Sequence, residues 1–230
     1  MTDGAVTILT GAASGIGRAA AEALAKKFRR LALVDQNAEA LSEVARECRR
    51  HSPHSAVFVC DVTDAEAVAR TCRKIRGEMG AASVLINCAG IGRHAPFLET
   101  DASEWTRMFD VNVMGAVHFT RAALPEMIAA RDGLIINVGS RMAVDPHPNT
   151  TAYAASKAAL LAFSKSLALE VKQHGVKISL LAPGGTMTDL DTPKHVGYLE
   201  PSAVADAIVY ITENGGKSWV RDLTVLPLDF

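Results

Sequence analysis

The sequence predicts an α/β fold, in which a doubly wound parallel sheet of about seven strands carries helices on both faces. Three observations support this fold class. Short apolar runs alternate with longer amphipathic segments along nearly the whole chain. The apolar runs are continuous, which is typical of strands buried on both faces of a parallel sheet. No repeat, linker or low-complexity segment interrupts the pattern, so residues 1–230 are predicted to form a single domain.

The first half of the chain contains four predicted strands and three helices. The strands are short runs rich in Val, Ile, Leu, Ala and Phe, and the helices are long enough to cross back over the sheet. In chain order we predict a strand at 5–9, a helix at 16–29, a strand at 31–34, a helix ending near 50, a strand at 56–60, a helix at 64–79 and a strand at 84–86.

The second half repeats this pattern with longer helices. We predict a helix at 103–130, a strand at 134–138, a helix at 151–174, a strand at 176–181, a helix at 201–212 and a strand at 223–226. Right-handed crossovers between such strands give a doubly wound sheet, which binds ligands beyond the carboxyl ends of its strands.

Composition excludes several classes of protein. The net charge is −1 and no stripe of Lys and Arg is present, which argues against nucleic-acid binding. We find no leader pattern and no apolar run of roughly 18 residues, so no membrane contact is expected. The 4 cysteines form no C-x-x-C pair and are predicted to be free thiols in the cytoplasm. The 7 histidines show no metal-binding spacing, and we expect no metal.

A glycine-rich turn separates the first strand from the first helix. Gly11, Gly15 and Gly17 permit a tight turn and a close approach to a pyrophosphate, with Ser14 and Ile16 between them. The free N–H groups at the helix start also favour phosphate charge. Since glycine also marks ordinary turns, this signal is weak by itself.

An acidic residue strengthens the dinucleotide interpretation. Asp35 ends the second strand, 18 residues after Gly17, where a carboxylate can accept hydrogen bonds from the adenosine ribose. It would also repel the 2′-phosphate of NADP, and Gln36 supplies no compensating cation. We therefore predict NAD as the cofactor. The alternative is a solvated aspartate that caps the next helix. Asp61 and Val62, after the third strand, are placed to meet the adenine.

Four further residues suggest the chemistry. Tyr153 and Lys157 lie four residues apart on a predicted helix and share one face. Ser140 ends the fifth strand, 13 residues before Tyr153, and Asn112 lies inside the preceding long helix. A phenol, an ammonium and a hydroxyl can therefore converge near a nicotinamide. Taken alone, the Tyr–Lys pair could equally be a contact on a helix surface.

The ordered set of motifs resembles that of the short-chain dehydrogenase/reductase family from residue 5 to about 225. The matching segments are Thr10–Gly17, Asn87–Gly90, Asn112, Ser140, Tyr153 with Lys157, and Pro183 with Gly184. The resemblance implies a Rossmann-like sheet and hydride transfer between NAD(H) and a secondary alcohol or ketone. It also implies a small-molecule substrate and a homodimer or homotetramer.

The resemblance further implies a role for each catalytic residue. Tyr153 exchanges a proton with the substrate oxygen, and Lys157 stabilises the phenolate and holds the nicotinamide ribose. Ser140 positions the substrate oxygen, and Asn112, at an irregularity in its helix, holds a water that links Lys157 to solvent. The cofactor contacts expected from the residues and the resemblance together are Gly11, Ser14, Gly15, Ile16, Gly17, Asp35, Gln36, Asp61, Val62, Asn87, Ala89, Gly90, Tyr153, Lys157, Pro183, Gly184, Thr186 and Thr188.

The substrate pocket is predicted from the loops that follow the strands. Its expected walls are His94, Met142, His147 and Met187. Arg93 and Arg141 lie beside these loops and could bind a carboxylate, although surface charge is the favoured interpretation.

Three features depart from the family pattern. Cys88 stands where the family commonly has a second asparagine. Segment 187–200 is short for a substrate lid, so we predict a mobile lid and an open pocket. Segment 226–230 lacks the family's common Asp-Gly-Gly ending, which puts its tetramer contacts in question.

The sequence leaves other functions open. An NADPH-dependent carbonyl reductase is the nearest alternative, and Asp35 counts against it. A non-catalytic dinucleotide-binding protein would need only the glycine turn and Asp35. An epimerase or dehydratase would use related chemistry, but the chain is short for a separate substrate domain.

Overall fold

The computed structural model describes residues 6–28, 30–188, 190, 197–215 and 218–228. Three expectations fall partly outside these residues. They are the start of the first strand at 5, the end of the first helix at 29, and half of the predicted lid at 187–200.

Within the described residues, seven parallel strands form one sheet in the order β3-β2-β1-β4-β5-β6-β7. The strands are β1 Val6–Thr10, β2 Arg30–Asp35, β3 Ala56–Val59, β4 Ala82–Asn87, β5 Gly133–Val138, β6 Val176–Pro183 and β7 Asp222–Val225. The strand order reverses between β1 and β4, which opens a crevice at the carboxyl ends of these strands. The predicted fold class is confirmed.

Helices cover both faces of this sheet. They are α1 Gly15–Ala25, α2 Ala38–Cys48, α3 Ala65–Met79, α4 Ala102–Phe109, α5 Gly115–Ala130, α6 Thr151–Val171 and α7 Pro201–Asn214. Side chains of α1, α2 and α7 pack with one set of strand residues, which includes Leu9 and Leu33. Side chains of α3, α5 and α6 pack with the alternate set, which includes Ile8 and Val34. Because both faces are buried, the strands are apolar at successive positions.

The predicted helix at 103–130 is interrupted. A π-helical turn, Asp110–Met114, joins α4 to α5. Buried Asn112 lies in this turn, and its side chain bonds to the backbone of Ile91 instead of facing solvent. This turn is the irregularity that the family resemblance implies at Asn112, whereas hydropathy periodicity does not register one inserted residue.

The last predicted turn of the 151–174 helix is a 3-10 turn, Lys172–His174. It ends at Gly175, which has a φ of +78°. A Cβ at this position would lie 2.3 Å from the carbonyl oxygen of Arg131, so only glycine fits.

No helix in the described part of the chain is both long and apolar enough to cross a membrane.

Candidate active site

A cavity of about 1010 Å³ follows the carboxyl ends of the strands. It contains nearly all of the predicted cofactor and catalytic residues. Those that line it are Gly11, Ser14, Gly15, Ile16, Gly17, Asp35, Gln36, Asp61, Val62, Ala89, Gly90, Ser140, Tyr153, Lys157, Pro183, Gly184, Thr186 and Thr188. Of the predicted substrate residues, His94, Met142 and His147 also line it.

The glycine turn closes tightly against its neighbours. Gly11 has a φ of +68°, and a Cβ there would lie 2.7 Å from the backbone nitrogen of Ala89. A Cβ on Gly17 would lie 1.9 Å from the carbonyl oxygen of Gly11. The Thr10 hydroxyl completes the junction, because it accepts hydrogen bonds from the N–H groups of Cys88 and Ala89 at 3.1 and 3.2 Å. Because Gly11 and Gly17 carry no side chain, the wall of the cavity along this turn is formed by backbone.

The start of α1 fits a pyrophosphate. Ser14 makes no side-chain cap to this helix, and its first turn contains no acidic residue. By contrast, Asn37, Asp64 and Asp101 cap α2, α3 and α4 with their side chains. Gly15, Ile16 and Gly17 line the cavity, and neither Ser14 nor an acidic side chain of the first turn occupies their N–H groups, as an anion requires.

Asp35 is held in a fixed orientation beside this turn. Its Oδ2 accepts from the N–H of Ala13 at 3.1 Å, and its Oδ1 accepts from the N–H of Asn37 at 2.9 Å. Gln36 next to it is exposed. The side chain that caps α2 is Asn37, which accepts from the N–H of Ala40 at 3.1 Å. The alternative interpretation of Asp35 as the helix cap is therefore wrong.

The residues after β3 form the far end of the cavity. Asp61 Oδ1 accepts from both the N–H and the hydroxyl of Thr63, at 2.9 and 2.8 Å. Val62 is buried, and its carbonyl oxygen lies 3.0 Å from Nδ1 of His118 on α5. The backbone of this loop is therefore fixed by α5.

Asn87 does not line the cavity, contrary to its predicted role as a cofactor contact. Its side chain is buried and donates to Asn137 Oδ1 at 2.8 Å and to Thr120 Oγ1 at 3.4 Å. Asn137 in turn donates to Ser164 Oγ at 2.8 Å. The side chain of Asn87 thus ties β4 to β5 and α5 behind the site.

Tyr153 and Lys157 lie one turn apart near the start of α6. The Lys157 Nζ lies 5.8 Å from the centre of the Tyr153 ring and donates to the Val138 carbonyl oxygen at 3.0 Å. Ser140 follows β5, and its Oγ accepts from the N–H of Met142 at 3.1 Å. The structure therefore brings the phenol, the ammonium and the hydroxyl to one cavity wall.

The Lys157 ammonium is buried, with 5% of its surface exposed. Burial lowers the pKa of Lys157 from its ordinary 10.5 to about 8. Burial also raises the pKa of Cys88 to about 12, so this thiol stays protonated near neutral pH. Lys157 can therefore gain or lose a proton close to neutrality.

Asn112 supports the catalytic wall from the π-helical turn. Its Oδ1 accepts from the N–H of Ile91 at 2.8 Å, while its Nδ2 donates to the Ile91 carbonyl and to Ser156 Oγ, both at 2.9 Å. Ser156 donates to the carbonyl oxygen of Tyr153 at 2.7 Å. Asn112 does not line the cavity, so its side chain positions the loop at Ile91 and the start of α6. The water expected from the resemblance stays a prediction.

The predicted substrate wall is partly wrong. Met187 does not line the cavity but lies in a separate depression with Arg18 and Glu22. Thr186 forms a bridge with Leu199, and neighbouring side chains in an extended segment point to opposite sides. Thr186 therefore faces the cavity and Met187 faces away from it.

Other residues of the wall were missed or undervalued in the sequence. Ile91, Arg141, Leu190 and Tyr198 also line the cavity. Arg141 carried a signal, because it directly follows Ser140. Tyr198 packs on Gly185, where a Cβ would lie 2.6 Å from the Tyr198 ring. No local pattern predicts this contact between distant segments.

The buried ammonium gives a prediction about stability. Lys157→Met should stabilise the cofactor-free protein by about 1–2 kcal/mol at pH ~7, because relief from burying charge outweighs the lost bond to Val138. The pKa of Lys157 is lower in the folded protein than in the unfolded one. Between pH ~8 and ~10.5 the unfolded state therefore binds more protons than the folded state, and the wild type becomes more stable as the pH rises through this range.

Urea unfolding of both proteins at pH ~7 and ~10 checks this expectation. The difference in free energy of unfolding between the wild type and Lys157→Met should be smaller at pH ~10 than at pH ~7. Comparing the two proteins cancels the titration of other groups. A difference that stays constant with pH would show that Lys157 is not held with a lowered pKa.

Comparison with known proteins agrees with this geometry. A family model described as short chain dehydrogenase matches residues 5–197. The chain belongs to the short-chain dehydrogenase family. The matched segment contains the glycine turn, the crevice between β1 and β4, and all four proposed catalytic residues.

Relatives within the short-chain dehydrogenase family differ in what their names say they act on. A 2,3-dihydro-2,3-dihydroxybenzoate dehydrogenase of Bacillus subtilis is 36% identical over 188 residues, covering 82% of this chain and 72% of the relative. A D-threitol dehydrogenase of Mycolicibacterium smegmatis has the same identity and coverage. The structure of an alcohol dehydrogenase from Thermococcus sibiricus, complexed with 5-hydroxy-NADP, is 27% identical with a TM-score of 0.89, covering 96% of this chain and 95% of that one.

Proposed function

We propose that the protein is an NAD-dependent dehydrogenase or reductase that interconverts a secondary alcohol and a ketone. The observation that carries this proposal is that Ser140, Tyr153 and Lys157 share one cavity with the glycine turn and Asp35. When bound, the nicotinamide supplies or accepts the hydride. A binding protein would need the glycine turn and Asp35 but not the polar wall around Tyr153.

The protein's own groups handle the proton. In the oxidation direction Tyr153 takes the proton from the substrate hydroxyl, and in reduction it returns the proton to the carbonyl oxygen. The Lys157 ammonium stabilises the phenolate form of Tyr153. Ser140 donates to the substrate oxygen and holds it beside the phenol. Lys157 would also hold the nicotinamide ribose.

NAD is the proposed cofactor because of the fixed Asp35 carboxylate. The contrary candidate is an NADPH-dependent carbonyl reductase, and the Thermococcus sibiricus structure with 5-hydroxy-NADP favours it. Asp35 tells against it, since both carboxylate oxygens already anchor backbone N–H groups and cannot easily turn away.

An activity screen tests the proposed function. Secondary alcohols and ketones are presented with NAD(H) and with NADP(H), and nicotinamide absorbance is followed. We expect turnover of at least one pair with NAD(H). Tight NAD binding without turnover of any alcohol or ketone would instead support a binding protein.

We also propose that residues 1–230 act as one domain in the cytoplasm. All four cysteines are free, which suits a reducing compartment.

The protein is further proposed to be a homodimer or homotetramer, joined through α5 and α6. Leu169 of α6 is 64% exposed, and Met114, which directly precedes α5, is 40% exposed. Exposure to water is costly for such apolar side chains. Light scattering at micromolar concentration should show a dimer or tetramer, and Leu169→Lys should shift it toward the monomer. A wild-type monomer would contradict this assembly. Leu228→Lys, which changes an exposed residue outside both helices, is the matched control.

A further inference from the structure

The loop that follows β3 is held by a histidine with no part in the proposed proton transfer. His118 lies on α5, and its Nδ1 lies 3.0 Å from the carbonyl oxygen of Val62. A carbonyl oxygen only accepts, so Nδ1 carries the hydrogen and donates it. Within the described residues, no other hydrogen bond ties residues 61–63 to an element distant in sequence. One imidazole therefore anchors this loop to α5.

Close packing at the same place fixes the distance between the loop and α5. Gly115 precedes His118 by three residues, so both lie on one face of the helix. A Cβ on Gly115 would lie 2.7 Å from Cγ2 of Val62, so the helix backbone packs directly on the Val62 side chain. This close approach lets the imidazole reach the Val62 carbonyl oxygen.

The anchored loop lies at the end of the cavity that is far from Tyr153. Asp61 and Val62 line the cavity after β3, whereas Ser140 lines it after β5. Four strand spacings separate β3 from β5 in the sheet, which is ~19 Å at ~4.8 Å per strand. Asp35, which is proposed to bind the adenosine ribose, follows β2 between them. A dinucleotide with its nicotinamide at Tyr153 would therefore have its adenine beside the anchored loop.

We infer that His118 is a positioning residue for the adenosine half of the dinucleotide, because it holds Val62 where the loop can bind adenine. This inference rests on the proposed function. His118 does not line the cavity, so it acts through Val62 and does not touch the cofactor. Without the hydrogen bond the loop populates other positions. The apparent Kd then rises in inverse proportion to the fraction of molecules that is competent to bind.

The test measures the two halves of the cofactor separately by calorimetry. His118→Phe keeps a ring and removes the donor. It should weaken binding of NAD and of adenosine monophosphate by about 5- to 10-fold, which is the effect of one lost hydrogen bond. Binding of nicotinamide mononucleotide should be unchanged.

Two further variants of His118 and one control sharpen this test. His118→Asn has an amide nitrogen as many bonds from the backbone as Nδ1, and it should recover most of the affinity for adenosine monophosphate. His118→Gln moves the donor one bond farther out and should behave like His118→Phe. His51→Phe, which replaces an exposed imidazole ahead of β3, is the matched control and should change neither affinity.

Steady-state rates separate this inference from the proposed function. In His118→Phe the KM for NAD should rise by the same factor as the Kd, and kcat at saturating NAD should be unchanged. Equal losses for both mononucleotides, or no recovery in His118→Asn, would show a merely structural role and overturn the inference. Unchanged affinity for adenosine monophosphate in His118→Phe would also overturn it. If no alcohol or ketone turns over, the proposed function fails, and calorimetry still decides whether His118 sets the affinity for adenosine.

Discussion

Replacing Tyr153 with Phe is expected to lower kcat by about 1000-fold or more, because one ionisable oxygen carries the proton in either direction. The ring volume is kept, so the cavity wall and the contact with His94, whose ring lies 6.4 Å away, should persist. NAD binding should change by no more than a few fold, because the glycine turn and Asp35 are untouched. Steady-state rates and NAD titration by calorimetry measure the two effects separately.

Two other tyrosines provide matched controls. Tyr198 also lines the cavity, and it is the other phenol that could carry the proton. Tyr210 lies on α7 and is 55% exposed. Tyr198→Phe and Tyr210→Phe should both keep turnover within a few fold. If Tyr198→Phe abolishes turnover while Tyr153→Phe does not, the proton passes through Tyr198.

Comparison of Tyr153→Phe with Lys157→Met distinguishes the two proposed roles of the Lys157 side chain. Tyr153→Phe should affect chemistry alone, whereas Lys157→Met should lower both kcat and NAD affinity, since one ammonium is proposed to serve the phenolate and the ribose. The same substitution is expected to stabilise the empty protein. A gain in stability with a loss of function is the pattern expected when a buried charge is kept for activity.

The fold could be predicted from the sequence because a sheet buried on both faces needs strands that are apolar at successive positions. Runs such as Leu31–Val34 and Leu134–Val138 are apolar at almost every position, and few folds other than a covered parallel sheet require that. The positions after the strands could be predicted for the same reason. Once the strand ends are known, topology brings Asp35, Ser140 and the glycine turn to one edge.

What could not be predicted depends on distances between segments that are far apart in sequence. The side chain of Asn87 was expected at the cofactor, but its amide donates to Asn137, 50 residues away, and to Thr120. The resemblance implied an irregularity at Asn112, but not that its side chain would bond to the Ile91 backbone, 21 residues away. Arg141 was undervalued because sequence position cannot show whether a loop side chain faces a cavity or water.

Cofactor choice is expected to follow Asp35. The wild type should prefer NAD(H) over NADP(H) by about 100-fold in kcat/KM, because a 2′-phosphate placed beside a fixed carboxylate costs on the order of 3 kcal/mol. The carboxylate cannot readily turn away, since Ala13 and Asn37 hold its two oxygens.

Three variants test which residues determine the preference for NAD(H) over NADP(H). Asp35→Asn removes the charge at nearly constant shape and should abolish most of the discrimination. Asp35→Ala combined with Gln36→Arg should reverse it, because the exposed position 36 can then place a cation on the phosphate. Asp61→Asn, a carboxylate of the same cavity at the end of the next strand, should weaken both cofactors equally and leave their ratio unchanged. Equal kcat/KM values for NAD and NADP in the wild type would show that Asp35 does not face the ribose, and would favour the carbonyl-reductase alternative.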